Sequence, residues 1–233
     1  MIDELKFTVI SDTHYYSKKN FVDGFDKNKK PKPGQLFFSR SEEIVEHTFD
    51  CLCKNDTPDI VLISGDLTYN GERTSHDEMK AALKKLQQKG KRVYVITATH
   101  DYTTPRMPTY GIDKNDKYIE VESVKRTQLL KYYGDFGYNN AIAKHKSTMS
   151  YVAQLADGYR LFALNDDYGD PDCGFSDELM NWVKTEANNA KRDGQYIIAM
   201  THHPLVPPSP IYAAVAKGDM LSEYELRRKQ LSD

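Results

Sequence analysis

Short unbroken apolar runs separated by amphipathic segments predict an α/β protein, and a turn between two apolar stretches predicts that its strands are mixed in direction. The runs are Phe7–Ile10, 60–63, 93–96 and 196–200. Four or five apolar residues without polar alternation suit strands covered on both faces. The segments between them repeat apolar residues at helical spacing, which supplies the covering layers.

Taken in order, residues 7–10 open the first sheet. Residues 41–54 predict a helix with Ser41 as N-cap and Ile44, Val45, Phe49 and Leu52 on one face. Strand 60–63 follows Pro58-Asp59. The spacing of Met79, Ala82, Leu83 and Leu86 predicts a helix over 75–89, ended by Gly90. Strand 93–96 comes next, then an irregular loop over 101–120 and a helix over 121–133 stopped at Gly134. Residues 149–155 and 159–164 form a hairpin around Asp157-Gly158. A helix capped by Ser176 runs over 176–191, strand 196–200 follows, and residues 219–231 read as a last amphipathic helix. The whole is read as one domain, residues 1–233. No repeat or linker divides it.

The 233 residues carry a net charge of −2, which excludes a general basic field for nucleic acid or anionic membrane. Three cysteines, two of them one residue apart, do not make a disulfide framework or a thiolate zinc site. No apolar run approaches the roughly 18 residues of a membrane span. A cytoplasmic protein is the default expectation, with an exported chain whose signal has been removed as the alternative. Six lysines between Lys18 and Lys32 read as a solvated loop, with phosphate steering as the minority role.

Four predicted strand ends carry metal-type ligands. The first ends in Ser11-Asp12-Thr13-His14, where alternation in an extended segment puts Asp12 and His14 on one side. The second ends in Gly65-Asp66, the third in Thr99-His100-Asp101, and the strand at 196–200 in His202-His203-Pro204. Ligands in open α/β sheets gather at the carboxyl ends of strands, so four such ends in register point to one rim.

The order D-x-H, G-D, an N-H-D-like element and H-x-P resembles the calcineurin-like metallophosphoesterase superfamily, over roughly 200 residues. The resemblance implies an α/β/β/α sandwich of four layers and a phosphoester hydrolase using two divalent ions, Mn, Fe, Zn or Co. It implies that Asp12 and His14 bind the first metal, that Asp66 bridges both, and that Thr99 and His202 serve the second. It makes His100, with Asp101, the catalytic element facing the phosphate, and His203 and Asn70 substrate contacts. Two ions about 3.5–4 Å apart clamp phosphoryl oxygens and activate water, which is why such sites pair carboxylates with imidazoles.

Two departures stand out. Ala98-Thr99 replaces the Gly-Asn of the third motif, so the second ion has a weaker neutral donor. The final G-H-x-H is missing, which is read as a chain cut before its last strands, with a shortened and catalytically impaired binding or scaffold protein as the alternative. The loops 15–38 and 102–118 leave the rim. Their lysines and tyrosines suit a small anionic phosphoester with an aromatic or sugar part, such as a nucleotide.

Overall fold

The computed structural model describes residues 4–24, 38–54, 56–167 and 174–204. Most of the lysine-rich loop and the expected helix over 219–231 lie outside the described residues. Two compact units are present, Glu4–Asn139 and a second formed chiefly by Asn140–Asp233.

In the first unit β1 (Phe7–Ile10), β2 (Ile60–Ser64) and β3 (Arg92–Ile96) form a parallel sheet in that order. β2 is central and buried at all five positions, as its unbroken Ile-Val-Leu-Ile run requires. Burying each of those side chains stabilises the fold by about 1.5–3 kcal/mol. β1, expected to be buried, is outermost among the described strands of this sheet, and Val9 is 55% exposed.

Helix α1 (Ser41–Leu52) stops two residues short of the expected end and buries Val45, Phe49 and Leu52, while Ile44 stays 49% exposed. Ser41 is not its N-cap. The Ser41 hydroxyl instead accepts the Tyr16 amide at 2.9 Å and donates to the Tyr16 carbonyl at 3.1 Å, tying the helix to the segment after β1. Helix α2 (Arg73–Gln88) starts two residues earlier than its apolar spacing indicates, with Glu72 as N-cap. Gly90 follows at φ 88°, the left-handed conformation in which glycine ends helices.

The 101–120 loop contains a small antiparallel pair, β4 (Gly111–Ile112) and β5 (Tyr118–Ile119). Only the end of the expected 121–133 helix is helical: α3 is Leu129–Tyr133, preceded by a 3-10 turn over Arg126–Gln128. Residues 122–124 are drawn out by main-chain pairing. Arg73 N–H donates to the Glu122 carbonyl at 2.9 Å, and Val124 N–H to the Gly71 carbonyl at 2.8 Å.

The second unit holds β6 (Ala143–His145), β7 (Ser150–Ala156), β8 (Tyr159–Ala163) and β9 (Tyr196–Met200) in one sheet, with α4 (Asp177–Arg192) packed against it. β6, β7 and β8 are antiparallel, and β8 and β9 are parallel, so the predicted mixture of directions is present. Ser176 caps α4 as expected, accepting the Leu179 amide at 3.2 Å. β9, expected to be buried, is the outermost of the described strands in its sheet, with Tyr196 57% and Ile197 42% exposed. No described helix is long and apolar enough to cross a membrane.

Candidate metal centre

The parallel order of β1, β2 and β3 brings three ligand-bearing loops to one edge. The loops after β1 and β2 run side by side, joined by Asp12 N–H to Gly65 O at 3.2 Å, His14 N–H to Asp66 O at 3.0 Å and Tyr15 N–H to Leu67 O at 2.9 Å. The Thr13 hydroxyl adds a bond to Leu67 O at 2.8 Å. Asp12 and His14 do not converge through extended alternation. They lie at φ 55° and 38°, and Asp66 at 52°, so a left-handed turn aims each side chain. Gly65, at φ 98°, makes the turn into Asp66.

His14 Nε2 lies 3.6 Å from Asp12 Oδ1 and 3.7 Å from Asp66 Oδ2. One ligand atom from each of His14, Asp66 and His100 falls within 4.8 Å of the others. His14 Nδ1 is buried without a hydrogen-bond partner among the described residues. Carboxylate oxygens converging with imidazole nitrogens fit a divalent transition ion. Asp66 is almost wholly buried, and its Oδ1 accepts the His100 amide at 3.0 Å. Beside Asp12 and His14 a cavity of about 300 Å³ opens towards Ile44, Val45 and Phe49 of α1.

The His100 ring stands edge-on to His14, centroids 4.8 Å apart. Its Nδ1 is 2.6 Å from the Tyr69 carbonyl and 2.8 Å from Asn70 Oδ1. Both partners are acceptors, so the ring proton sits on Nδ1 and Nε2 carries the lone pair in the neutral tautomer. Asn70, expected to contact substrate, is buried and serves here as an orienting acceptor for His100. Thr99, half-buried, opens the 3-10 turn Thr99–Asp101.

Asp101 is fully buried. Its Oδ1 accepts the Thr68 amide at 3.0 Å and its Oδ2 the Ala98 amide at 2.9 Å. It therefore pins the loop after β3 to the loop after β2.

In the second unit His202 and His203 follow β9, with ring centroids 4.8 Å apart. The His203 amide donates to Asp166 Oδ2 at 2.9 Å, and its Nδ1 lies 3.2 Å from Asp166 Oδ1. Asp166 is fully buried just beyond β8, the parallel neighbour of β9.

Several residues escape the sequence reading. Asp166 follows an apolar strand within Asn165-Asp166-Asp167, the same strand-end signal used elsewhere. Tyr69 stands 6.4 Å from His14 and 6.1 Å from His100 by ring centroid, and Tyr110 and Tyr118 continue the stack at 5.8 and 4.1 Å. His76, read as a surface residue, is fully buried. Its Nδ1 is 2.6 Å from the Tyr133 hydroxyl and its Nε2 2.9 Å from the Asp101 carbonyl. Burial lowers its pKa to about 3, so it is neutral at pH 7. His145 likewise is buried rather than surface, with Nδ1 2.9 Å from the Thr148 hydroxyl.

The sequence matches the family model described as calcineurin-like phosphoesterase over residues 5–229. No curated protein matches it. Among solved structures it is similar to a dimetal phosphatase from Danio rerio, at 11% identity and a TM-score of 0.61. The alignment covers 97% of this chain and 76% of that one. At that identity the likeness speaks for the fold.

Proposed function

We propose, from the premise that the chain belongs to the calcineurin-like phosphoesterase family, that it hydrolyses small phosphoesters with two divalent ions. The observation that carries this reading is the convergence of His14, Asp66 and His100 at the ends of three parallel strands. When bound, such ions supply Lewis-acid polarisation of phosphoryl oxygens and a nucleophile at neutral pH.

Asp12, His14 and Asp66 are the residues that would hold metal, and His202 is a further ligand expected from the family's motif. The His100 amide fixes one Asp66 oxygen, which leaves the other turned towards His14. His100, its Nδ1 proton committed to Tyr69 and Asn70, presents the Nε2 lone pair, which can take up the proton released by the attacking water and pass it to the leaving oxygen. The Tyr69, Tyr110 and Tyr118 stack beside it favours substrates with an aromatic part, of which nucleotides are one class.

The test is metal content by elemental analysis together with hydrolysis of aryl phosphate mono- and diesters. Bound manganese, iron, zinc or cobalt and turnover are expected, both lost in Asp66→Asn and weakened in His202→Ala. A metal-free wild-type protein that stays inactive after reconstitution, or an Asp66→Asn variant indistinguishable from it, would defeat the reading.

A further inference from the structure

The turn that holds His100 is built around a carboxylate that does not touch His100. Glu72 is fully buried, and both of its oxygens accept the Asn70 amide, at 3.1 and 3.2 Å. The nearby amides of Tyr69 and of Glu72 itself and the Ser75 hydroxyl favour the charged form of the same carboxylate. These donors lie in the turn that exposes the Tyr69 carbonyl and Asn70 Oδ1 to His100 Nδ1, at 2.6 and 2.8 Å. The far side of the turn is also fixed. Asn70 Nδ2 donates to the Pro108 carbonyl at 3.4 Å, the Thr109 hydroxyl donates to the Asn70 carbonyl, and the Gly71 amide donates to the Thr68 hydroxyl at 3.3 Å.

A buried carboxylate with no cationic partner among the described residues is costly, and burial lifts the Glu72 carboxyl to about 7. Helix capping alone does not require it, because Ser, Asn or Asp cap as well and tolerate solvent. What Glu72 adds is length and two acceptor oxygens, enough to face the N–H groups of the turn from its far end and to hold the Asn70 amide with both. An amide in its place would turn an N–H towards those N–H groups, and the turn would open.

We infer that Glu72 is a positioning residue for His100, its carboxylate holding the Tyr69-Asn70 turn in the conformation that presents two carbonyl oxygens to the imidazole. The inference rests on the reading of His100 as the group serving the leaving oxygen, but its structural half is measurable without turnover.

The experiment is Glu72→Gln in otherwise wild-type protein, read in two ways. Long-range proton–nitrogen spectra of the metal-free protein report which His100 nitrogen carries the proton. Wild type is expected to show Nδ1–H only, and the variant a mixture of the two tautomers. Steady-state kinetics of the metal-loaded protein are expected to show kcat down about 10- to 100-fold with KM within about twofold. The loss should be larger for an alkyl leaving group, which needs the proton, than for an activated aryl one. An unchanged tautomer, or equal losses for both leaving groups, would reduce Glu72 to a structural cap and overturn the inference. If wild type has no turnover, the phosphoesterase reading fails while the spectra still decide the positioning. Should Glu72→Gln not fold, Glu72→Asp keeps the charge but withdraws the oxygens from Asn70, and the same spectra and criteria apply to it.

Discussion

Replacing Asp101 by alanine tests whether this residue acts by holding two loops together. Its carboxylate accepts the Thr68 amide at 3.0 Å and the Ala98 amide at 2.9 Å, and Thr68 and Ala98 are themselves fully buried. Water cannot reach either amide to replace the lost acceptor. A buried donor left without a partner costs about 1–3 kcal/mol, so Asp101→Ala should cost about 2–6 kcal/mol. Asp101→Asn keeps one acceptor and should cost about half of that. Against a typical total of about 5–15 kcal/mol, the alanine variant stands near the threshold of folding. Urea denaturation followed by circular dichroism measures both values, with an unchanged slope showing that the folded state is the same. An alanine variant within about 0.5 kcal/mol of wild type, the usual range for surface changes, would refute the reasoning. So would an asparagine variant less stable than the alanine one.

Three further outcomes are expected. Gly71 lies at φ 77°, and a Cβ there would come within 2.7 Å of the Tyr102 Cα, so Gly71→Ala should lower stability by about 1–3 kcal/mol in thermal melts. His76 has a pKa of about 3 in the fold against 6.5 unfolded, so its contribution is complete above pH 6.5 and is lost as pH falls towards 3. The stability advantage of wild type over His76→Gln should therefore shrink on acidification, by at most about 1.4 kcal/mol per pH unit, and a constant gap in urea midpoints would contradict it. Thr99→Asn restores the donor type of the third motif, and calorimetric metal titration should show tighter or more complete binding than wild type.

Where one physical rule dominates, the sequence was readable. The unbroken Ile60-Val61-Leu62-Ile63 run indicated a buried strand, and Ser176 ahead of a 3.6-residue apolar period indicated a helix start. The outermost of the described strands were harder, since β1 and β9 carry the same apolar residues as β2 while exposing Val9, Tyr196 and Ile197. Composition does not say which strand lies outermost. Residues 122–124 have a helical neighbourhood, yet Gly71 and Arg73 recruit them into main-chain pairing that no local window contains. Asp12, His14, Asp66 and His100 were visible because strand ends in α/β sheets concentrate ligands. Asp101, adjacent to His100, looked like part of the chemistry, and only the distances to Thr68 and Ala98 show what its carboxylate holds. His76 shares the buried stripe of Met79, Leu83 and Leu86, a spacing that could have marked it as interior.

The left-handed backbone at Asp12, His14 and Asp66 sets the rim against the stability of the fold. Non-glycine residues held there store about 1–3 kcal/mol each, sustained by the bonds between the two loops. A screen that selects variants for heat resistance alone would therefore be drawn to these positions. Glycine at 12 relaxes the backbone and removes a carboxylate in one step. Its most durable products would be those least able to bind metal, so any attempt to harden this protein has to select for ion binding at the same time.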